Sequence, residues 1–239
     1  AKLVMEQAAA LDNKDPKYWL AIGKIVGRAW PPRPNGPSKN SGLVNQIYGK
    51  ALSLAGENWD VVETVADFYH ATRQFPGAVE AYQTVIRHNP DQLVTREKLA
   101  RVYAAMGEDE KLLETLLGIA EIDTQNATIL RQIAGIYIQR KQYPEAVPYF
   151  QKALAIGKGT EDEYKAVAGV MIEERQSEAA IDFIKGAAYL FPESPDVPML
   201  LTYPFAFEEK WDKAVEQFER AVELGADKPE MFNESFYFR

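Results

Sequence analysis

The chain has 239 residues, 46% hydrophobic and 26% charged, with no cysteine and a formal net charge of −8. This is the composition of an ordinary folded protein, and the missing cysteines exclude disulfides, thiol catalysis and thiolate metal sites. No run of about 18 apolar residues occurs, so membrane insertion as a helix is not expected, and the acidic balance argues against nonspecific nucleic-acid binding.

The charge is uneven along the chain. Residues 1–50 hold eight Lys/Arg against Glu6, Asp12 and Asp15, a balance of +5, whereas the remainder carries −13. In chain order, residues 1–15 read as the second helix of a truncated preceding repeat, with Met5, Ala8 and Leu11 on one stripe. Residues 16–58 follow as a helix pair, with Trp19, Ile22 and Gly23 on the first helix and Tyr48 and Ala51 on the second. The intervening stretch 31–42 holds four prolines and two glycines and cannot be helical. It is expected to project as a mobile loop beside Lys17 and Lys24.

From residue 59 onward, columns of similar residues recur every 34 positions. One reads Val65, Leu99, Ile133, Val167, Leu201, and its neighbour is small throughout: Ala66, Ala100, Ala134, Ala168, Thr202. Three residues later stand Tyr69, Tyr103, Tyr137, Met171 and Phe205. A second set begins Ala78, Leu112, Ala146, Ala180, Ala214 and continues to Tyr82, Leu116, Phe150, Ile184, Phe218. It closes with Val85, Ile119, Ala153, Ala187 and Ala221. Spacings of three and four place each set on one helical stripe. The small positions let paired helices approach closely. The repeats so defined are 59–92, 93–126, 127–160, 161–194 and 195–228, with 229–239 opening a further one. Pro198 and Pro204 both fall in the first helix of repeat 195–228, where a kink or break is expected. Neither end carries a polar capping helix, so the chain reads as a segment of a longer array. Phe232, Phe236, Tyr237 and Phe238 would otherwise be exposed, and self-association through the ends is a further expectation.

This pattern resembles the tetratricopeptide repeat, a 34-residue helix–turn–helix. Repeat 127–160 carries the resemblance best, with Leu130, Ile133, Ala134, Tyr137, Ala146, Phe150 and Ala153. The resemblance implies an all-α, right-handed superhelical solenoid of helix–turn–helix repeats. It also implies a non-catalytic scaffold that binds a protein or peptide partner in a concave groove lined by the first helix of each pair. The alternative is a structural spacer or self-assembling array. A subgroup of the family grips a partner's carboxylates with a Lys and an Asn four apart. The matching positions here hold Leu20 and Lys24, then Glu63 and Asp67, so that ligand is not carried over.

No constellation for chemistry accompanies the repeats, and no cofactor or metal is expected. His70 follows Asp67 by three residues, but no further ligands converge in sequence. His88 falls near a helix C-terminus, where positive charge is favourable. Residues 157–160, GKGT, follow a helix and lack the spacing of a phosphate loop. Asn126 and Asn233 begin glycosylation-type triplets, and nothing in the sequence indicates a secretory origin. The stripe opposite the core columns predicts the groove. It comprises Lys17, Lys24 and Arg28, then Asp60, Glu63, Asp67 and His70, then Glu97 and Arg101, then Arg131, Gln139 and Lys165. Gly135 and Gly169 remove side chains from its middle, and Met199, Tyr203 and Phe207 add an apolar stripe at a spacing of four.

Overall fold

The computed structural model describes residues 3, 7, 8, 11, 13–29, 41–157 and 159–226. The expectations for most of 1–15, for 31–40 of the loop at 31–42 and for the aromatic residues after 226 lie outside these residues, whereas Ser41 and Gly42, expected to be non-helical, open the helix Ser41–Leu54 because the prolines all lie before them. Among the described residues there are twelve α-helices and no strand. They are α1 (Pro16–Ala29), α2 (Ser41–Leu54), α3 (Trp59–Ala71), α4 (Phe75–His88), α5 (Leu93–Met106) and α6 (Asp109–Ile122). Then come α7 (Ala127–Gln139), α8 (Tyr143–Gly157), α9 (Glu161–Glu173), α10 (Ser177–Leu190), α11 (Asp196–Phe207) and α12 (Trp211–Glu223). The chain forms two compact units, Ala1–Ile122 with α1–α6 and Asp123–Arg239 with α7–α12.

Each pair packs through the small column. Ala66, Ala134 and Thr202 are fully buried and Ala100 and Ala168 nearly so, while Val85, Ile119, Ala153, Ala187 and Ala221 line the facing helices, all buried. Gly23 stands in the same column in α1, and there even a methyl group is too large. A Cβ on Gly23 would lie 2.7 Å from the Tyr48 ring, which is stacked on Phe68 at 3.8 Å. The apolar stripes gather into one core in each unit. The first is built around Ile47, Val65, Ala78 and Tyr82, and the second around Met171, Ala180, Phe183 and Ile184.

The turns inside the pairs are alike in a way that composition conceals. Arg73, Gly107, Lys141, Arg175 and Glu209 all take φ between 58° and 72°, the left-handed region. These positions are successive members of one column. Each supports the same helix ending, in which the next N–H reaches back five residues: Gln74 to Tyr69, Glu108 to Tyr103, Gln142 to Tyr137, Gln176 to Met171, Lys210 to Phe205. That bond satisfies a carbonyl the helix leaves unpaired. Only Gly107 adopts it without steric cost.

The break expected in the first helix of repeat 195–228 does not occur. α11 runs without a break from Asp196 to Phe207 through Pro204. Pro198 is its third residue, where the missing N–H would have had no helical partner. Pro204 does deprive the Leu200 carbonyl of a donor. The helix nevertheless holds, because Leu201, Thr202, Pro204, Phe205 and Ala206 are all buried, and the Thr202 hydroxyl donates to the Pro198 carbonyl at 3.2 Å. Tertiary packing on this segment outweighs the local penalty. A second interior proline, Pro148 in α8, is tolerated as well, but on an exposed face.

Candidate functional site

The first helices of unit 1 present α1, α3 and α5. Lys17, Lys24 and Arg28 are exposed on α1, and Asp60 is exposed in the first turn of α3. The next residues along α3 are engaged within the fold. Glu63 accepts from Thr95 at 3.1 Å, from Gln92 at 3.3 Å and from Lys98 at 2.9 Å. Asp67 accepts from the Tyr82 hydroxyl at 2.6 Å and from Lys98 at 2.9 Å. Lys98, on α5, therefore bridges two carboxylates of the preceding repeat, with only 25% of its own side chain and 15% of that of Glu63 exposed. Burial and then the hydrogen bond to Asp67 push the Tyr82 phenol well above its ordinary value of 10.0. Burial draws the Lys98 ammonium down, but its hydrogen bonds to Glu63 and Asp67 prevail and leave it above 10.5. His70 faces Phe75, ring centres 6.3 Å apart, and His88 stacks on Trp59 at 4.0 Å. Glu97 and Arg101 pair at 3.6 Å on the surface of α5.

Unit 2 repeats the device of tying one repeat to the next. Arg131 on α7 reaches Glu163 at 3.5 Å, and Lys165 on α9 reaches Asp196 at 2.7 Å and Asp162 at 3.3 Å. The Arg131 guanidinium lies over Gly157, where a Cβ would be 3.0 Å away, and its Nε is buried without an acceptor. Both cations thus sit at repeat junctions. Gln139 is exposed at the end of α7. Glu161 accepts a short hydrogen bond from Ser194.

Two positions on the first helices of unit 2 lack side chains. Gly135 on α7 and Gly169 on α9 occupy equivalent positions one repeat apart, and a Cβ on either would meet no atom within 4 Å. The next member of that column is Tyr203, half-buried on α11, with Met199 half-buried one turn before it. Phe207, the third residue of the apolar stripe, is covered by the Arg175 guanidinium, 3.9 Å from its ring centre. Gly135, Gly169 and Tyr203 thus occupy one column on successive first helices, with Arg131 and Lys165 engaged at the repeat junctions.

The other motifs resolve locally. Thr160 of the GKGT stretch is the N-cap of α9 in a capping box with Glu163. Three acidic residues in its first turn meet the helix dipole where a phosphate would otherwise be drawn. Asn126 caps α7 by accepting from the Ile129 N–H at 3.2 Å. No group of three or more metal-ligating side chains gathers among the described residues. Sequence reasoning passed over Lys98, Glu163 and Asp196. Their signal was an opposite charge 31 to 35 residues from its partner, one repeat away.

Residues 126–160 match the family model of the tetratricopeptide repeat. No curated protein sequence matches the chain. Among solved structures, the chain is similar to the MamA protein at 21% identity and a TM-score of 0.47, over 73% of this chain and 100% of that one. It is similar to YrrB, described as a TPR protein with an unusual peptide-binding site, at 14% identity and a TM-score of 0.46, over 75% and 93%. It is also similar to PilF of Pseudomonas aeruginosa at 14% identity and a TM-score of 0.45, over 88% and 91%.

Proposed function

We propose that this chain, a tetratricopeptide-repeat protein, is a non-catalytic scaffold that holds a peptide or helical segment of a partner protein in a trough along the Gly135, Gly169 and Tyr203 column of unit 2. The observation that carries the reading is the open space over Gly135 and Gly169, bounded by Met199 and Tyr203. Glycine inside a helix weakens it relative to alanine by roughly 0.5–1 kcal/mol, so two in one column are a liability to the fold alone. They let a bound backbone come close to α7 and α9. Tyr203 then serves as the apolar anchor, because aromatic groups in desolvated pockets carry most of an interface's energy. Arg131 and Lys165 set orientation, since charges at a rim act chiefly on encounter.

A partner captured by the full-length protein and identified by what co-purifies supplies the assay. Tyr203→Ala should weaken its binding by about 1–3 kcal/mol, whereas Glu63→Ala should leave the dissociation rate nearly unchanged. Gly135→Leu and Gly169→Leu place side chains where a Cβ meets no atom within 4 Å. They should abolish binding while thermal stability holds or rises. If both leucine variants bind like the wild type, the trough is not the site.

A further inference from the structure

The first helix of unit 1 carries a charge pattern that no other first helix repeats. Lys17, Lys24 and Arg28 stand at spacings of seven and four, so they share one stripe of α1, and all three are exposed. In the same three columns the other five first helices carry a single cation, Arg101, which Glu97 holds at 3.6 Å. Among the described residues no carboxylate pairs with these three cations, and Glu63 and Asp67 on α3 are taken by Lys98. Asp15, just before α1, accepts instead from the Lys17 backbone N–H at 2.9 Å.

The last described helix carries the opposite stripe. Asp212, Glu216, Glu219 and Glu223 stand at spacings of four, three and four on α12, and all are exposed. Of the six second helices only α12 holds a carboxylate in all four of these columns. Glu223 pairs with Arg220 at 3.1 Å, whereas Lys213 lies over the Phe205 ring and Lys210 engages Glu208. That leaves Asp212, Glu216 and Glu219 with no cation among the described residues. The two stripes also agree in length, each covering about 16 Å at the helical rise of 1.5 Å per residue. Laid side by side, Lys17, Lys24 and Arg28 fall opposite Asp212, Glu219 and Glu223.

We propose that these two faces bind each other between copies of the chain, the basic stripe of α1 in one copy docking on the acidic stripe of α12 in the next. The surfaces differ, so the contact is head-to-tail, and each added copy leaves one face of each kind free to extend the assembly. Charge selects the partner. A net charge of −8 makes two copies repel, and residues 1–50, with their balance of +5, are the region that another copy approaches favourably. Ile25, 63% exposed and one turn before Arg28, adds apolar area beside the basic stripe. Val215, 38% exposed and one turn after Asp212, does so beside the acidic one. A separate acidic protein would account for α1 but leave the unpaired row on α12 without a use. Contacts between exposed charges are screened by salt, so the association is weak and reversible. It goes beyond the proposed scaffold role and uses none of α7, α9 and α11.

The test is analytical sedimentation of the intact chain over a range of concentrations. At low salt the mean mass should climb past that of a dimer, and in high salt it should return to that of a single copy. Lys17→Glu combined with Lys24→Glu, and Asp212→Lys combined with Glu219→Lys, should each lower the association constant by roughly tenfold or more, with thermal melts unchanged. Mixing these two variants supplies the control for pairing. The unaltered α1 of one variant then meets the unaltered α12 of the other, and association should reappear. A chain that stays single at every concentration overturns the proposal, as does assembly that survives high salt or either reversal. A mixture of the two variants that stays single overturns the pairing of α1 with α12. A chain that stays single yet binds a polyglutamate peptide through Lys17 and Lys24 overturns it in favour of an acidic partner.

Discussion

The two units use the same helix pair and the same columns, but they fill one surface column in opposite ways. In unit 1 that column holds Lys24, Asp67 and Arg101, and Asp67 is locked with Glu63, Tyr82 and Lys98 into a network. In unit 2 it holds Gly135 and Gly169, with nothing above them, and then Tyr203. Unit 1 uses its first-helix surface to hold repeats together. Unit 2 moves that task to Arg131, Lys165 and their carboxylate partners at the junctions, and leaves the middle empty. Equivalent positions in a repeat protein therefore need not share a role. Once neighbouring contacts supply the tie between repeats, a column is released for other use.

Removing Lys98 should give the largest effect. Lys98→Ala leaves the Glu63 carboxylate, 15% exposed, facing Asp67 without a cation. The loss should be about 2–3 kcal/mol in chemical denaturation, typical of a buried charge stripped of its partner. Lys165→Ala removes a tie that is open to solvent and should have a much smaller effect. Equal losses would show that the two ties are equivalent after all.

Alkaline pH should separate the units next. Tyr82 and Lys98 both have folded-state values raised above their ordinary 10.0 and 10.5. Their contributions are whole below those values and are lost as pH rises through the higher folded ones, because the unfolded chain releases these protons first. Unit 1 should thus weaken above about pH 10, and Tyr82→Phe should blunt that loss. A pH-stability profile unchanged by Tyr82→Phe would break the comparison.

The smallest effect concerns what the units share. Arg73→Gly in unit 1 and Glu209→Gly in unit 2 relieve a left-handed backbone and should each stabilise by about 0.5–1 kcal/mol. Gly107→Ala should cost about 1 kcal/mol, since it imposes the same strain. If the glycine variants melt lower than the parent, those side chains support the turn in ways their geometry does not reveal.

The helix pairs and their buried faces were legible in the sequence, because burial against a neighbouring repeat enforces one residue size per column. Val65, Ala66 and Tyr82 announce themselves in this way, and so does Gly23 beside Tyr48. The openness at Gly135 and Gly169 was legible too, as a missing side chain on a predicted surface stripe. The tertiary structure alone decided which charges were spent. Glu63, Asp67, Arg131 and Lys165 sit on that stripe by periodicity, yet their partners lie a full repeat away, and no local pattern fixes where a long side chain turns. It also decided the fate of the prolines. Pro204 is a helix breaker by its own chemistry, and only the burial of Leu201, Phe205 and Ala206 around it keeps α11 whole. Local chemistry fixes the preference of each residue, and packing between repeats determines which preference prevails.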